Sequence, residues 1–185
     1  VTGLTAADIA ITAEGANMLS KILSANETKK VAFKFGSGLT GVTDMSYCFI
    51  ECKNLVHVSG IPAGVQNMSS CFFGCDNLVQ APEIPASVTN MSSCFSSCES
   101  LTQAPVIPSS VTNMRGFFFN CTKLTSVTLK CNYPSSAADA DAFKDAFGDC
   151  NSLTANSIKV PADQLQTYKD NADMMRTTAD RFVAE

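Results

Sequence analysis

Nine cysteines and a single histidine, His57, are the residues of this chain whose side chains could define a chemical site. Zinc binding requires four ligands that converge in a tetrahedron, usually from closely spaced cysteine pairs. Cys48 with Cys52 and Cys71 with Cys75 have a suitable spacing. Disulfides between neighbouring repeats are a second interpretation. A third, which we favour, is a structural column of small buried side chains, because cysteine is among the most buried residue types. We therefore predict no metal and no cofactor, and we expect Cys131, which stands outside the repeated columns, to be the exposed thiol.

Catalysis is not expected from these residue types. A nucleophilic triad needs a base beside a nucleophile, but the chain has one His and no G-x-S-x-G motif. Residues 139–145 superficially resemble a calcium loop. Phe143 and Lys144, however, stand where that loop requires an oxygen ligand and a glycine. The sequence therefore predicts a protein that is not an enzyme.

Most of the cysteines belong to an internal repeat of 23 residues. Residues 68–90 and 91–113 are identical at 16 of 23 positions. The motif F-x-x-C-x-x-L begins five times, at Phe49, Phe72, Phe95, Phe118 and Phe147. The last interval is 29 residues, which indicates a six-residue insertion near residues 132–141. Because one repeat cannot bury its own apolar face, the copies are expected to stack and to place Phe on Phe.

Each repeat carries two periodicities. Met45, Cys48, Phe49 and Cys52 are spaced as i, i+3, i+4 and i+7, which predicts a two-turn helix. A second pattern follows in residues 124–129, where apolar residues are separated by Thr and Ser, as is typical of a short strand. Either Ser69 and Ser92, just after the repeated Met, or Asn67 and Asn90, just before it, are of the residue types that cap the free amides at a helix start.

The combination of F-x-x-C-x-x-L, L-x-x-V-x-L and V-T-N-M in 23-residue units resembles the BspA-like bacterial leucine-rich repeats over about residues 42–161. Residues 160–169 are similar to the closing segment of that family. The resemblance implies an α/β fold, a right-handed leucine-rich-repeat solenoid of about five coils, each with a short strand and a short helix. Residues 1–41 are expected to form an N-terminal cap and residues 162–185 a C-terminal cap, in one domain overall.

The caps have local patterns of their own. Met18, Leu19, Ile22 and Leu23 are at helical spacing, and Val31, Phe33 and Phe35 alternate like a strand. Near the other end, Met175, Ala179, Phe182 and Val183 are again at helical spacing. These patterns predict a helix and a strand before the first coil, and a helix after the last.

One column of the predicted strands is polar. It contains His57, Gln80, Gln103 and Ser126. We interpret the Leu two residues earlier as pointing inward and these four side chains as pointing outward, in a row that a ligand could contact. An ordinary solvated row is the alternative. The row is nevertheless our candidate binding site.

Charge and hydropathy restrict the partner. A net charge of −4 has the wrong sign for binding a nucleic-acid backbone, and no apolar run is long enough to cross a bilayer. The resemblance implies a secreted or cell-surface bacterial module that adheres to a host or neighbouring-cell protein or glycan. We expect a monomer, possible lipid anchoring through a removed N-terminal segment, and, as the alternative function, a structural spacer with no ligand of its own.

Overall fold

A computed structural model of the chain describes residues 29–36, 39–136, 139 and 141–185, together with positions 19, 21, 23 and 25. The strands are β1 (Val31–Lys34), β2 (Leu55–Ser59), β3 (Gln103–Ile107), β4 (Ser126–Leu129), β5 (Ile158–Val160) and β6 (Phe182–Ala184). A short helix, α1, covers Leu165–Asp170, and 3₁₀ turns cover Ala162–Gln164 and Ala179–Arg181. The elements follow one another as successive coils of a solenoid of about six turns, which confirms the predicted repeat fold.

The strands form parallel ladders. β1 pairs with β2, and β3, β4, β5 and β6 pair in that order. Between β2 and β3, this ladder is continued only by the single bridges of Gln80, to His57 on one side and to Gln103 on the other.

The helix predicted within each repeat is replaced by consecutive turns. Across residues 45–52, alternate amides bond in two directions. The amide of Cys48 donates to the carbonyl of Met45 in the same coil (3.2 Å), whereas that of Phe49 donates to the carbonyl of Cys71 in the next coil (2.8 Å). Tyr47 has a left-handed backbone with φ of 56°. The prediction of short helices was therefore wrong, because the apolar spacing of two helical turns is also met by turns that bond to neighbouring coils.

A second ladder runs along the opposite border of these turns. Asp44, Asn67, Asn90 and Asn113 are joined by parallel bridges. The side-chain oxygen of Asn90 accepts a hydrogen bond from the amide of Ser92 at 3.1 Å. Equivalent bonds link Asn67 to Ser69 and Asn113 to Arg115. The Asn column thus caps the start of each run of turns, a role that asparagine also fulfils in Asx turns.

The core is a continuous stack of identical side chains. The Phe49 and Phe72 rings lie 5.3 Å apart and 5° from parallel, and those of Phe72 and Phe95 lie 5.2 Å apart at the same angle. The stack continues through Phe118 to Phe147, with separations of 5.8 and 6.1 Å. All five side chains are fully buried. The predicted coil-to-coil stacking is confirmed.

Both ends of this stack are covered by aromatic edges. Phe33 and Phe35 meet the ring of Phe49 edge-on at 5.5 and 5.9 Å. Phe182 meets the ring of Phe147 edge-on at 6.3 Å. Phe182 lies in β6 and not in the helix predicted there, so that local prediction was wrong. Leu19 and Leu23 are buried, while Met18 and Ile22 lie outside the described residues.

Candidate functional site

The four polar residues of the predicted row lie side by side across the sheet. Parallel bridges join His57 to Gln80, Gln80 to Gln103, and Gln103 to Ser126. Neighbouring strands in a sheet are about 4.8 Å apart, so the row extends for roughly 14 Å. Gln80, Gln103 and Ser126 are exposed and His57 is half-buried. The structure therefore brings the four residues together in the row that the repeat register predicts.

The outward surface is two residues wide in each coil. Leu55 and Val58 are both buried, and the two residues between them, Val56 and His57, are at least partly exposed. The corresponding pairs in the next three coils are residues 79–80, 102–103 and 125–126. We call these four pairs, together with Val106 and Thr128, the strand face.

The strand face is uncharged and partly apolar. It contains neither Asp, Glu, Lys nor Arg. Val79 and Val106 are 52% and 56% exposed, which are high values for large apolar side chains. Thr102 and Thr125 occupy the column of Val79, and the Thr125 hydroxyl donates to the Thr102 carbonyl at 2.9 Å. This surface can offer van der Waals contact and neutral hydrogen bonds to a partner.

His57 lies at the N-terminal end of the row. Its Nδ1 atom is buried and has no hydrogen-bond partner among the described residues. Its backbone pairs with Ala32 of β1 on one side and with Gln80 on the other. The ring therefore closes the row against the first coil without being fixed by a hydrogen bond at Nδ1.

The cysteines do not form a site. All nine are buried and unbridged. In four coils the thiol donates to the carbonyl of the Phe in the preceding coil. The pairs are Cys75 to Phe49 at 3.1 Å, Cys98 to Phe72 at 3.2 Å, Cys121 to Phe95 at 3.0 Å and Cys150 to Phe118 at 3.0 Å. The cysteine columns are thus part of the core, as the favoured interpretation predicts.

Burial also suppresses thiol reactivity. Desolvation raises the pKa of Cys75, Cys98 and Cys121 well above the ordinary value, and it raises the pKa of Cys52 and Cys150 to about 12. The thiolate is the form that attacks electrophiles and binds metals. Within the described part of the chain, no group of three or more His, Cys, Asp or Glu is arranged to hold a metal ion. The zinc interpretation therefore has no support in this geometry.

The expectation that Cys131 is exposed was wrong. Its side chain is fully buried. The hydroxyl of Tyr168 donates to the Cys131 carbonyl at 3.0 Å and lies 3.7 Å from the thiol sulfur. Burial raises the pKa of the Cys131 thiol to about 11. The contact joins residues 37 positions apart, so no local pattern could reveal it.

Three shallow clefts lie away from the strand face. The largest of the three, about 370 Å³, is formed by Gly36, residues 39–42 and residues 60–64. A cleft of about 240 Å³ lies beside Phe147 and Arg176, and another of the same size lies at the insertion, beside Tyr133. None of the three includes a residue of the strand face. The strand face is thus distinct from these clefts, and its exposed side chains suit a partner with a matching surface of its own.

Comparison with known proteins places the chain in a family. The model of the BspA type leucine rich repeat region matches residues 27–154 in six copies. The chain therefore belongs to the BspA-type leucine-rich repeat proteins. Proteins of this family and fold are typically binding modules without enzymatic activity. None of the curated proteins compared with the chain matches it.

The chain is also similar to solved structures. The pneumococcal vaccine antigen PcpA is similar with a TM-score of 0.57 and 15% identity, over 84% of this chain but only 42% of PcpA. A leucine-rich repeat protein from Bacteroides ovatus has a TM-score of 0.45 and 20% identity, over 70% of this chain and 39% of that one. The T. pallidum protein TpLRR has a TM-score of 0.44 and 19% identity, over 87% and 91%. In the portion described here, no helix is both long and apolar enough to cross a membrane.

Proposed function

We propose that this chain is a bacterial cell-surface module that binds a protein partner through its strand face. Membership of a repeat family of binding modules supports the general role. The similarity to PcpA, a vaccine antigen, supports a surface location. Secretion, adhesion to host or neighbouring cells and lipid anchoring are parts of the same proposal.

The observation that carries the proposal is the composition of the strand face. Two strongly exposed valines flank a row of amide and hydroxyl groups, and no formal charge interrupts them. The fully buried centres of protein interfaces are likewise depleted in charge. A glycan site usually presents a Phe, Tyr or Trp ring, and the strand face has none of these residues. A protein is therefore the better match of the two partner classes.

The solenoid backbone holds the strand face in a fixed conformation before a partner binds. Gln80 and Gln103 project from a backbone that is held by bridges to the coils on both sides. A partner that binds them orders only the side chains, so it loses less conformational entropy than on a mobile loop. The strand face is thus available without rearrangement, and a monomer is sufficient to present it.

The direct experiment is binding of the fluorescently labelled chain to intact epithelial cells and to intact bacteria, followed by flow cytometry. We expect saturable binding to at least one of them that unlabelled chain competes away. Brief protease treatment of those cells should abolish it, whereas treatment with glycosidases should weaken it at most in part.

The opposite results are equally informative. Binding that survives protease and is lost after glycosidase treatment would replace the protein partner with a glycan. No saturable binding to any cell type would favour the structural spacer, because a spacer needs no ligand of its own.

A further inference from the structure

The insertion at residues 132–141 is the one interruption of the 23-residue spacing among the five F-x-x-C motifs. Insertions within repeat proteins commonly form loops that bind ligands. Here the insertion borders a cleft of about 240 Å³. Thr112 of the preceding coil also lines it, so the cleft lies between the insertion and the regular solenoid.

Tyr133 gives this cleft a fixed aromatic wall. Its ring meets Phe143 edge-on at 5.3 Å and Tyr168 edge-on at 5.6 Å. Phe143 and Tyr168 are fully buried, and the Tyr168 hydroxyl is bonded to the carbonyl of Cys131. Tyr133 itself is only half-buried and lines the cleft. Its ring is therefore held from behind by the core and remains partly accessible from the front.

Polar groups surround this aromatic wall. Asn132, Ser135 and Asp139 line the same cleft, are exposed, and make no side-chain hydrogen bond within the described part of the chain. The backbone of Asp139 is fixed, since its amide donates to Ser136 at 3.0 Å and its carbonyl accepts from Ala142 at 2.8 Å. An amide, a hydroxyl and a carboxylate thus remain available to a ligand beside the ring.

This arrangement suits the chemistry of a sugar. One face of a pyranose ring presents C–H groups that pack on an aromatic ring. Its vicinal hydroxyls donate to a carboxylate and exchange hydrogen bonds with an amide such as that of Asn132. The cleft is slightly smaller than the range of about 300 to 1,000 Å³ typical of ligand sites, so it admits one sugar ring rather than a long chain.

Charge selects among sugars. Arg115 and Lys144 both lie 3.8 Å from Asp141, which lies at the end of the insertion. Asp139 forms no ion pair within the described residues. An uncompensated carboxylate repels a uronate or a sulfated sugar and favours a neutral one.

We propose that the cleft formed by Tyr133, Asn132, Ser135 and Asp139 binds one neutral sugar residue of a glycan. This site is separate from the strand face and shares none of its residues. A module with both sites could contact a glycosylated surface at two points, and each contact would raise the effective concentration of the other.

The test is titration of the isotopically labelled chain by nuclear magnetic resonance. The probes are the methyl glycosides of glucose, galactose, mannose and N-acetylglucosamine, with glucuronic acid as the anionic comparison, each up to tens of millimolar. We expect at least one neutral glycoside to shift the amide signals of residues 132–136 and 139 in a saturable manner, and glucuronic acid to bind more weakly.

Substitutions in the cleft test whether the signal changes in the titration arise from binding there. Tyr133→Ala and Asp139→Ala should each weaken the affinity by about tenfold or more. Asp139 is exposed, so its variant should keep the wild-type urea midpoint even if Tyr133→Ala is destabilised. Gln66→Glu, at an exposed position outside both the cleft and the strand face, is the control and should leave the titration unchanged.

The proposal is overturned if no neutral glycoside shifts these signals, or if the shifts map elsewhere on the chain. It is also overturned if Asp139→Ala retains the full affinity while remaining folded. These results do not depend on the protein partner of the strand face, so the two proposals fail independently.

Discussion

The thiol of Cys98 donates a hydrogen bond to the carbonyl oxygen of Phe72 in the preceding coil, at 3.2 Å. The same carbonyl accepts the amide of Cys75 at 3.1 Å, which closes a turn within its own coil. One buried oxygen therefore joins two coils. This geometry explains the F-x-x-C motif, because cysteine is small and apolar enough for the core and still supplies a donor.

Thiol burial makes stability sensitive to alkaline pH. Because the pKa of Cys98 is raised in the folded chain, this thiol stays protonated there when the unfolded chain begins to ionise near pH 9. Its stabilising contribution is complete below that pH and is lost as the pH rises. Each such thiol should remove up to about 1.4 kcal/mol per pH unit from the free energy of unfolding.

Urea titrations at several pH values above 9 check this for the wild type and for Cys98→Ala. The variant should be less stable at neutral pH, but its stability should fall less steeply with pH. Equal slopes for the two proteins would mean that the Cys98 thiol ionises in the folded state as readily as in the unfolded one.

The Phe stack predicts a large local effect of truncation. Phe95 lies between Phe72 and Phe118, at 5.2 and 5.8 Å. Phe95→Ala should lower the free energy of unfolding by roughly 3 to 5 kcal/mol, since it opens a cavity between coils. Phe73→Ala is the control, because Phe73 is only half-buried, and its effect should be clearly smaller. A loss below about 1 kcal/mol for Phe95→Ala would refute the stack as a source of stability.

The contact between Tyr168 and Cys131 is expected to stabilise the C-terminal end. Tyr168→Phe leaves the buried Cys131 carbonyl without this donor, which should cost about 1 to 3 kcal/mol. Tyr133→Phe removes a hydroxyl from the same aromatic cluster and should change stability by less than about 0.5 kcal/mol. Urea unfolding measures the free energy of unfolding of both variants. Equal losses would show that the hydrogen bond from Tyr168 to Cys131 does not stabilise the fold.

The Asn column gives a prediction with a natural control. Asn90→Ala removes the acceptor for the Ser92 amide and should lower the free energy of unfolding by about 1 kcal/mol. Asn90→Asp should be nearly neutral, because Asp44 already accepts the Ser46 amide at 2.7 Å in the first coil. If both substitutions destabilise equally in thermal unfolding, the side-chain oxygen is not the important group.

The repeat register is the part of the fold that sequence predicts well. Identical residues at a fixed interval must occupy equivalent positions in a stack, so the Phe column and the alignment of Gln80 with Gln103 follow directly. The spacing of the apolar residues within a repeat, however, was not enough to predict the turns. Ser70 and Ser93 have φ of 52° and 53°, and Gly116 occupies the same column with φ of 60°. These small residues were the available signal against a helix, since left-handed backbone favours glycine and short polar side chains.

Contacts between segments that are distant in the chain could not be predicted from the repeat pattern. Tyr168 covers Cys131 only because the C-terminal segment folds back on the last coils. The half-buried state of His57 similarly depends on its strand lying beside β1, which is outside the five F-x-x-C repeats. Both features are set by packing of segments that do not share the repeat.

The most direct test of the strand face compares Gln103→Glu with Gln66→Glu in the cell-binding experiment. Both side chains are exposed, but Gln103 is in the centre of the polar row and Gln66 is among the turns outside it. A buried charge at an interface is costly, so Gln103→Glu should reduce the apparent affinity by about tenfold or more while Gln66→Glu leaves it unchanged. Equal affinities for the two folded variants would contradict the assignment of the strand face as the binding surface.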